Sequence, residues 1–442
     1  MAQSATHAAI EAVFRIEWPR LIAGLTRVVR DVGAAEELAH DALVAALEQW
    51  PDEGIPDKPG AWLMATAKHR AIDTVRRAKL VRRKHEELGG ELEAFGGEAS
   101  DEREAIDEAL DDQIGDDMLS LMFIACHPVL ATDARVALTL RMVGGLTTAE
   151  IARAFLVPEP TIAQRIVRAK RTLSEARAPF EVPRGEALAE RLASVLEVVY
   201  LVFNEGYSAT AGDDWLRPAL CDDALRLARM LAELAPDEPE VHGLVALLEI
   251  QASRSAARTG KDGEPVLLLE QDRSRWDRLL IRRGLQALER AEKLGGALGP
   301  YALQAAVAAC HARAQTADVT DWPRIVALYD ALAALAPSPI VQLNRAVAVS
   351  MACGPAEALA IVDALVESGE LESYHLLFAV RGDLLVRLGR MSEARPDRRG
   401  ARLAAYCRAL RCARGACAVA HRAAQPRRRR IDGFRAGRGA HH

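Results

Sequence analysis

The chain has 442 residues and a formal net charge of −5 at pH 7. That length predicts two to four domains with enough material for buried cores. No apolar run reaches the roughly 20 residues needed to span a bilayer. Met1 to Ile10 lacks a basic start followed by an apolar core, so no secretory leader is read. The chain is therefore expected in the cytoplasm, with no membrane partner. Half of the residues are hydrophobic and only 5% are aromatic. Ala and Leu outweigh β-branched runs, which favours an all-α fold. The seven cysteines form no CxxC pair, so zinc-finger and thioredoxin-like chemistry is excluded and no metal or cofactor is expected. In a reducing compartment they read as thiols.

The first unit, residues 8–84, reads as three helices. Ile10, Val13, Phe14 and Ile16, then Leu21, Ile22, Leu25 and Val28, recur at helical spacing. Asp31 and Gly33 break the pattern. A second helix is predicted from Ala34 to about Trp50, with Leu38, Ala42, Leu43, Ala46 and Leu47 on one face. The Pro- and Gly-rich stretch 51–60 reads as a loop. A third helix is predicted from Ala61 to about Lys84. Its residues 68–84 carry eight Lys or Arg against one Asp. Lys68, Arg70, Arg76, Arg77 and Lys79 form a dense basic face beside Trp62 and His69, suited to neutralising phosphates. Trp62 itself reads as a core side chain.

Residues 85–117 read as an acidic linker: from 86 to 117 there are fourteen Asp or Glu and one Arg. A second small helical unit covers 118–178. From 185 to 394 the pattern becomes Ala- and Leu-rich amphipathic helices, punctuated by phrases such as Leu234-Ala-Pro-Asp-Glu-Pro and Leu335-Ala-Pro-Ser-Pro. This recurrence suggests stacked helical hairpins of the tetratricopeptide kind. The tail 395–442 changes character, with fourteen Arg, no Lys, and Cys407, Cys412 and Cys417 at a spacing of five. It reads either as a basic arm or as the product of an altered reading frame.

The strongest signal is Leu146-Thr-Thr-Ala-Glu-Ile-Ala-Arg-Ala-Phe-Leu-Val-Pro-Glu-Pro-Thr-Ile-Ala-Gln-Arg-Ile-Val-Arg-Ala-Lys-Arg-Thr-Leu. Thr147 or Thr148 suits a helix N-cap, with Glu150 in the first turn. Ile151, Ala152 and Phe155 give that helix an inner face. A turn at Leu156–Pro158 follows, and Glu159-Pro160 suits a second helix start. On that helix Ile162, Ile166 and Ala169 face inward, while Thr161, Gln164, Arg165, Arg168 and Arg171 face outward. This is the pattern of a recognition helix, with side chains for base edges and for phosphates. Arg165 suits a bidentate guanine contact, and Gln164 suits adenine.

The order of these pieces resembles the sigma-70 family of RNA polymerase initiation factors, and within it the small extracytoplasmic-function group. The residues that carry the resemblance are Ala35-Glu-Glu-Leu-Ala-His-Asp-Ala-Leu-Val-Ala-Ala-Leu, Trp62 to Arg77, and Gly145 to Leu173. It implies that Glu37, Leu38, Asp41 and Leu43 dock on core RNA polymerase. It implies that His69, Asp73, Arg76 and Arg77 lie in the helix that meets the −10 element of promoter DNA. Thr161, Arg165 and Arg168 would lie in the helix that meets the −35 element. His40, His69, Leu156 and Ala163-Gln164 depart from the family's usual residues. Further stretches, among them Phe123-Ile-Ala-Cys-His-Pro, Tyr200-Leu-Val-Phe-Asn-Glu-Gly-Tyr and Asn344-Arg-Ala-Val-Ala-Val, resemble a subgroup with a fused tetratricopeptide-like C-terminal domain. That resemblance runs to about residue 394 and implies that the added domain controls activity, through a protein or small-molecule partner.

Two rival readings are weighed. A conventional helix-turn-helix regulator with ligand- or protein-binding repeats would explain 147–174, but has no need of Glu37–Leu47 or of a second basic helix. An enzyme could be built on Cys126-His127, His242 or His311, but no HExxH, GxSxG or phosphate loop accompanies them. Asn204-Glu205-Gly206-Tyr207 reads as either a ligand site or a helix–loop junction against the second unit.

Overall fold

The computed structural model describes residues 2–71, 114–155, 157–207, 217–260, 265–372 and 374–390. Among them every element is a helix, apart from one isolated bridge between Thr259 and Pro265. The chain forms two compact units: residues 1–255 with 277–305, and residues 256–276 with 306 onward.

The first unit opens with α1 (Ala2–Val29) and α2 (Val32–Glu53). The break between them is local chemistry. Arg30 adopts a left-handed φ of 55°, and Asp31 in extended backbone accepts a hydrogen bond from the Ala34 amide at 2.8 Å. α2 buries Ala35, Ala39, Ala42 and Ala46 completely, so a stripe of small side chains faces the neighbouring helices. α2 runs one turn past the expected end at Trp50, with Pro51 inside it. The turn closes because Gly54, at φ 87°, donates its amide to the Trp50 carbonyl at 2.9 Å. Residues 59–71 then form the described part of α3, which buries Leu63, Ala67 and Ala71.

Four helices follow: α4 (Ile114–Ala125), α5 (Thr132–Met142), α6 (Thr148–Phe155) and α7 (Glu159–Glu175). From Met118 to Cys126 every residue is buried, which only a helix surrounded on all sides requires. The neighbours are α1, α5 and two helices from further along the chain, α8 (Glu186–Tyr207) and α9 (Pro218–Leu234). α10 (Pro239–Ala252) and α11 (Arg278–Lys293) pack on each other and complete the unit, with the start of α12 (Pro300–Arg313). The approach of α8 to α9 is close: a Cβ added at Gly206 would lie 2.7 Å from the Cys221 amide nitrogen.

The second unit contains α13 (Trp322–Leu335), α14 (Pro339–Ala352), α15 (Pro355–Ser368) and α16 (His375–Arg387). Each packs on the next, around Leu343, Val349, Leu359, Val362, Leu377 and Leu384. The proline phrases mark helix starts: Pro218, Pro239, Pro339 and Pro355 are each the first residue of a helix. Proline costs nothing there because the first amides have no partner within the helix. The tail 395–442 and most of the acidic linker lie outside the described residues.

Candidate nucleic-acid interface

α6 and α7 form the helix-turn-helix read from the sequence. The start of α6 is a reciprocal capping box. Thr147 Oγ1 accepts from the Glu150 amide at 3.1 Å, and the Glu150 carboxylate accepts from the Thr147 amide at 2.7 Å. Ile151 and Ala152 are buried, as are Ile162, Ile166, Ala169 and Leu173 along α7. Pro160 occupies the first turn of α7. Gln164, Arg168 and Arg171 are exposed, while Thr161 and Arg165 are half-buried. Arg165 lies 3.5 Å from Asp133, and Arg171 pairs with Glu175 at 2.6 Å one turn on. Both acids are more than half exposed, so these pairs hold the arginines weakly and yield readily to phosphate.

In α2 and α3 the sequence-derived residues divide. Glu37 and Asp41 are exposed, Leu43 is half-buried, and Leu38 is 6% exposed and belongs to the core. His69 and Arg70 are exposed, and Lys68 is half-buried. Arg70 pairs with Asp41 at 3.3 Å. Trp62 is half-buried and meets the buried Trp50 edge-on, with ring centroids 5.3 Å apart. Asp73, Arg76, Arg77 and Lys79 lie outside the described residues.

Composition and spacing did not reveal a polar cluster that joins α1 and α2 to α5 and α7. Glu36 Oε1 accepts from Arg141 Nε at 2.6 Å, and its other oxygen receives the Lys170 ammonium. The Arg141 guanidinium also donates to the Leu146 carbonyl at 3.1 Å and lies over the Trp18 ring, 5.1 Å from its centroid. Trp18 Nε1 returns a hydrogen bond to the Arg141 carbonyl at 2.9 Å. His40 Nε2 accepts from Arg141 at 3.1 Å, and His40 Nδ1 donates to the Glu36 carbonyl at 2.9 Å. One signal pointed to it: Glu36 lies on the buried stripe of α2 beside Val32, Ala35 and Ala39, where an acid needs a partner.

Burial first, and the Arg141 charge second, hold His40 below the ordinary histidine value against the opposing pull of Asp41. The packed form therefore favours neutral His40. Between that lowered value and about 6.5, the unfolded chain binds more protons. Stability from this contact is complete above about pH 6.5 and falls as the pH drops below it. The urea midpoint should be lower at pH 5.5 than at pH 7.5, and His40→Gln should shrink the difference. An equal difference in the variant would assign the pH response to other groups.

A second seam joins α8 and α9 to the helix-turn-helix unit. Arg135 on α5 reaches Glu197 at 3.1 Å. Ser194 donates to the Cys126 carbonyl at 2.6 Å, and Arg191 to the Phe123 carbonyl at 2.8 Å. Arg226 donates to the Gly144 carbonyl at 2.6 Å. Arg217, held by Glu205 at 2.7 Å, donates to the carbonyl of Ala154 at the end of α6. Asn204–Tyr207 form the last turn of α8, and Glu205 there holds the arginine that reaches the end of α6.

The residues of the enzyme reading serve structure. Cys126 is buried, shares a hydrogen bond with Thr139 and has its thiol pushed up to about 11 by burial, which suppresses the thiolate. His242 bonds the Pro236 carbonyl at 2.8 Å, and His311 packs edge-on to Trp322. Among the described residues no group of His, Cys, Asp and Glu has the arrangement of a metal site, and no helix is long and apolar enough to cross a membrane. In the second unit, a small open cleft is lined by Trp322, Tyr329, Asn344, Ser350 and Arg387.

A capped helix-turn-helix with an exposed basic face, packed beside a second small helical unit, is the arrangement of a DNA-binding protein. Residues 14–81 match Sigma-70 region 2, and residues 120–173 match Sigma-70, region 4. Residues 191–292 match DUF6596, a family of unknown function. An uncharacterized protein of Rhizobium meliloti (strain 1021) is 45% identical over 378 residues, covering 85% of this chain and 87% of that protein. No solved structure matches the chain. The chain thus carries two regions of the sigma-70 family, and these support the role of a sigma factor that recognises promoter DNA with core RNA polymerase.

Proposed function

We propose that this sigma factor belongs to the extracytoplasmic-function group and that its C-terminal helices, of tetratricopeptide-like design, control its activity. In this reading α7 meets the −35 element through Thr161, Gln164, Arg165, Arg168 and Arg171. The −10 element is met by Lys68, His69 and Arg70 together with Asp73, Arg76, Arg77 and Lys79. Glu37, Asp41 and Leu43 contribute to the core polymerase contact. The observation that supports control by the C-terminal part is the seam of Arg217 and Arg226 on the α5–α6 carbonyls. A force applied to α8 and α9 is passed to the helix-turn-helix through those bonds. The cleft of the second unit offers apolar, aromatic and charged groups to a protein or small-molecule partner.

The test is transcription from a library of random promoter templates by core polymerase with the purified chain. Transcripts should share two upstream elements. Arg165→Ala should lower output roughly tenfold or more on the preferred template and relax one −35 position, as loss of a bidentate base contact does. Arg168→Ala should weaken all templates alike and reduce the salt slope by about one. Closed-duplex binding without initiation would favour the conventional regulator instead.

A further inference from the structure

We infer that the cleft of the second unit is a receptor for a small aliphatic α-amino acid, held as its zwitterion. The inference rests on the control role proposed above and names the ligand class through which that control would act. The cleft lies among α13, α14 and α16. One wall is apolar and is lined by the Trp322 ring, Ile325, Val347 and Met351. Ile325 is 1% exposed and Met351 is 39% exposed, so this wall runs from the core out to solvent.

Three polar side chains line the same cleft. Asp383 and Arg387 lie one helical turn apart on α16, 3.9 Å from each other. Arg387 Nη1 donates to Ser350 Oγ at 3.0 Å, and Nη2 donates to the Ser350 carbonyl at 3.2 Å. The guanidinium is thus fixed in place by two of its five donors. The Arg387 and Asp383 side chains are 34% and 27% exposed. A long, part-exposed pair of this kind contributes little by itself, so both charges can turn to a ligand. The third side chain is Asn344 on α14, whose amide makes no hydrogen bond among the described residues.

This charge pattern selects the ligand. A lone carboxylate would be drawn to Arg387 and repelled by Asp383, and a lone amine would meet the reverse. A zwitterion satisfies both groups: its carboxylate accepts from Arg387, its ammonium donates to Asp383, and the site stays neutral. The Asn344 amide carries a donor and an acceptor and serves either group. The apolar wall receives a side chain without polar atoms, and the small size of the cleft limits that side chain to an aliphatic one. The end of a peptide carries only one of the two charges and leaves the other unmatched.

The test is titration calorimetry of the full chain with leucine, methionine and valine, and then with N-acetyl-leucine and leucine amide. At least one of the free amino acids should bind with a dissociation constant below about 1 mM. Each blocked leucine should bind at least roughly tenfold more weakly than leucine, because it loses a hydrogen bond to a charged group. Asn344→Ala removes an amide that no hydrogen bond of the fold uses. It should weaken binding about tenfold at an unchanged urea midpoint. Arg387→Gln should weaken binding further. Its tie to Ser350 makes it the riskier variant, and if it fails to fold, Asn344→Ala decides alone. No binding of any of the three amino acids at about 10 mM overturns the inference. Equal affinity for N-acetyl-leucine or for leucine amide also overturns it, and would make the cleft a site for one end of a peptide. Calorimetry needs neither polymerase nor promoter. An amino acid that binds yet leaves transcription unchanged would therefore support the site and overturn only the proposed control.

Discussion

A chain ending at Ala178 should lose both cooperative unfolding and promoter-directed transcription, although it retains everything needed to touch DNA. The reason lies in α4. From Met118 to Cys126 it has no exposed residue, and α8 and α9 form part of its surroundings. Val195, Val198, Val199 and Val202 of α8 are all completely buried. Burial of one Leu, Phe or Met side chain stabilises by about 1.5–3 kcal/mol. A domain's whole margin is about 5–15 kcal/mol. Uncovering three or four α4 side chains is therefore enough to remove it. The cut also strips the carbonyls of Phe123, Cys126, Gly144 and Ala154 of their donors from α8 and α9. Urea unfolding followed by circular dichroism should show a broad transition at much lower denaturant, and the template library should yield few transcripts. A truncated chain with the parent's midpoint and the parent's output would remove both the structural and the regulatory role of the C-terminal helices.

Much of this was legible because its cause is local. The break at Asp31, the cap at Thr147, the proline phrases before α10 and α14, and the apolar face of α7 each arise within a few residues of chain. The all-α class follows from the same signals. The α2 boundary was misplaced by one turn because proline is a strong helix breaker in general, yet Pro51 falls where the helix is already ending. What the sequence could not convey was partnership. Glu36 and Arg141 are 105 residues apart, and no periodicity links them. The valines of α8 announce burial without saying that region 4 is what they help to cover. Arg217 gains its role only where the fold brings Glu205 and the Ala154 carbonyl to it. In the candidate interface, the outward set on α7 was readable from the spacing of Ile162, Ile166 and Ala169. Leu38, expected to dock on polymerase, is instead a core side chain in this packed form, because the stripe that carries it faces inward.

Phe123→Ala should destabilise the first unit by about 3–5 kcal/mol, the usual cost of deleting a buried aromatic ring. Phe123 is 1% exposed, and its loss cannot be absorbed by solvent entry. Two features push the cost toward the upper end. The Arg191 guanidinium sits 5.9 Å from the ring centroid while donating to the Phe123 carbonyl, so the ring orients a cation that helps tie α8 to α4. The neighbours Leu121 and Met122 are fully buried as well, which leaves little freedom for collapse into the cavity. Phe123→Leu keeps most of the volume and should cost roughly 1 kcal/mol. The comparison separates packing from polar effects, since the backbone carbonyl that receives Arg191 is present in both variants. Equilibrium urea unfolding of the full chain would give both values. A loss below about 1 kcal/mol for Phe123→Ala would mean that α4 is not the centre of the unit. A loss that Phe123→Leu fails to recover would assign the effect to the ring's contact with Arg191. In either of those outcomes the link from the C-terminal helices to the helix-turn-helix would rest on the polar contacts of Arg135, Arg217 and Arg226.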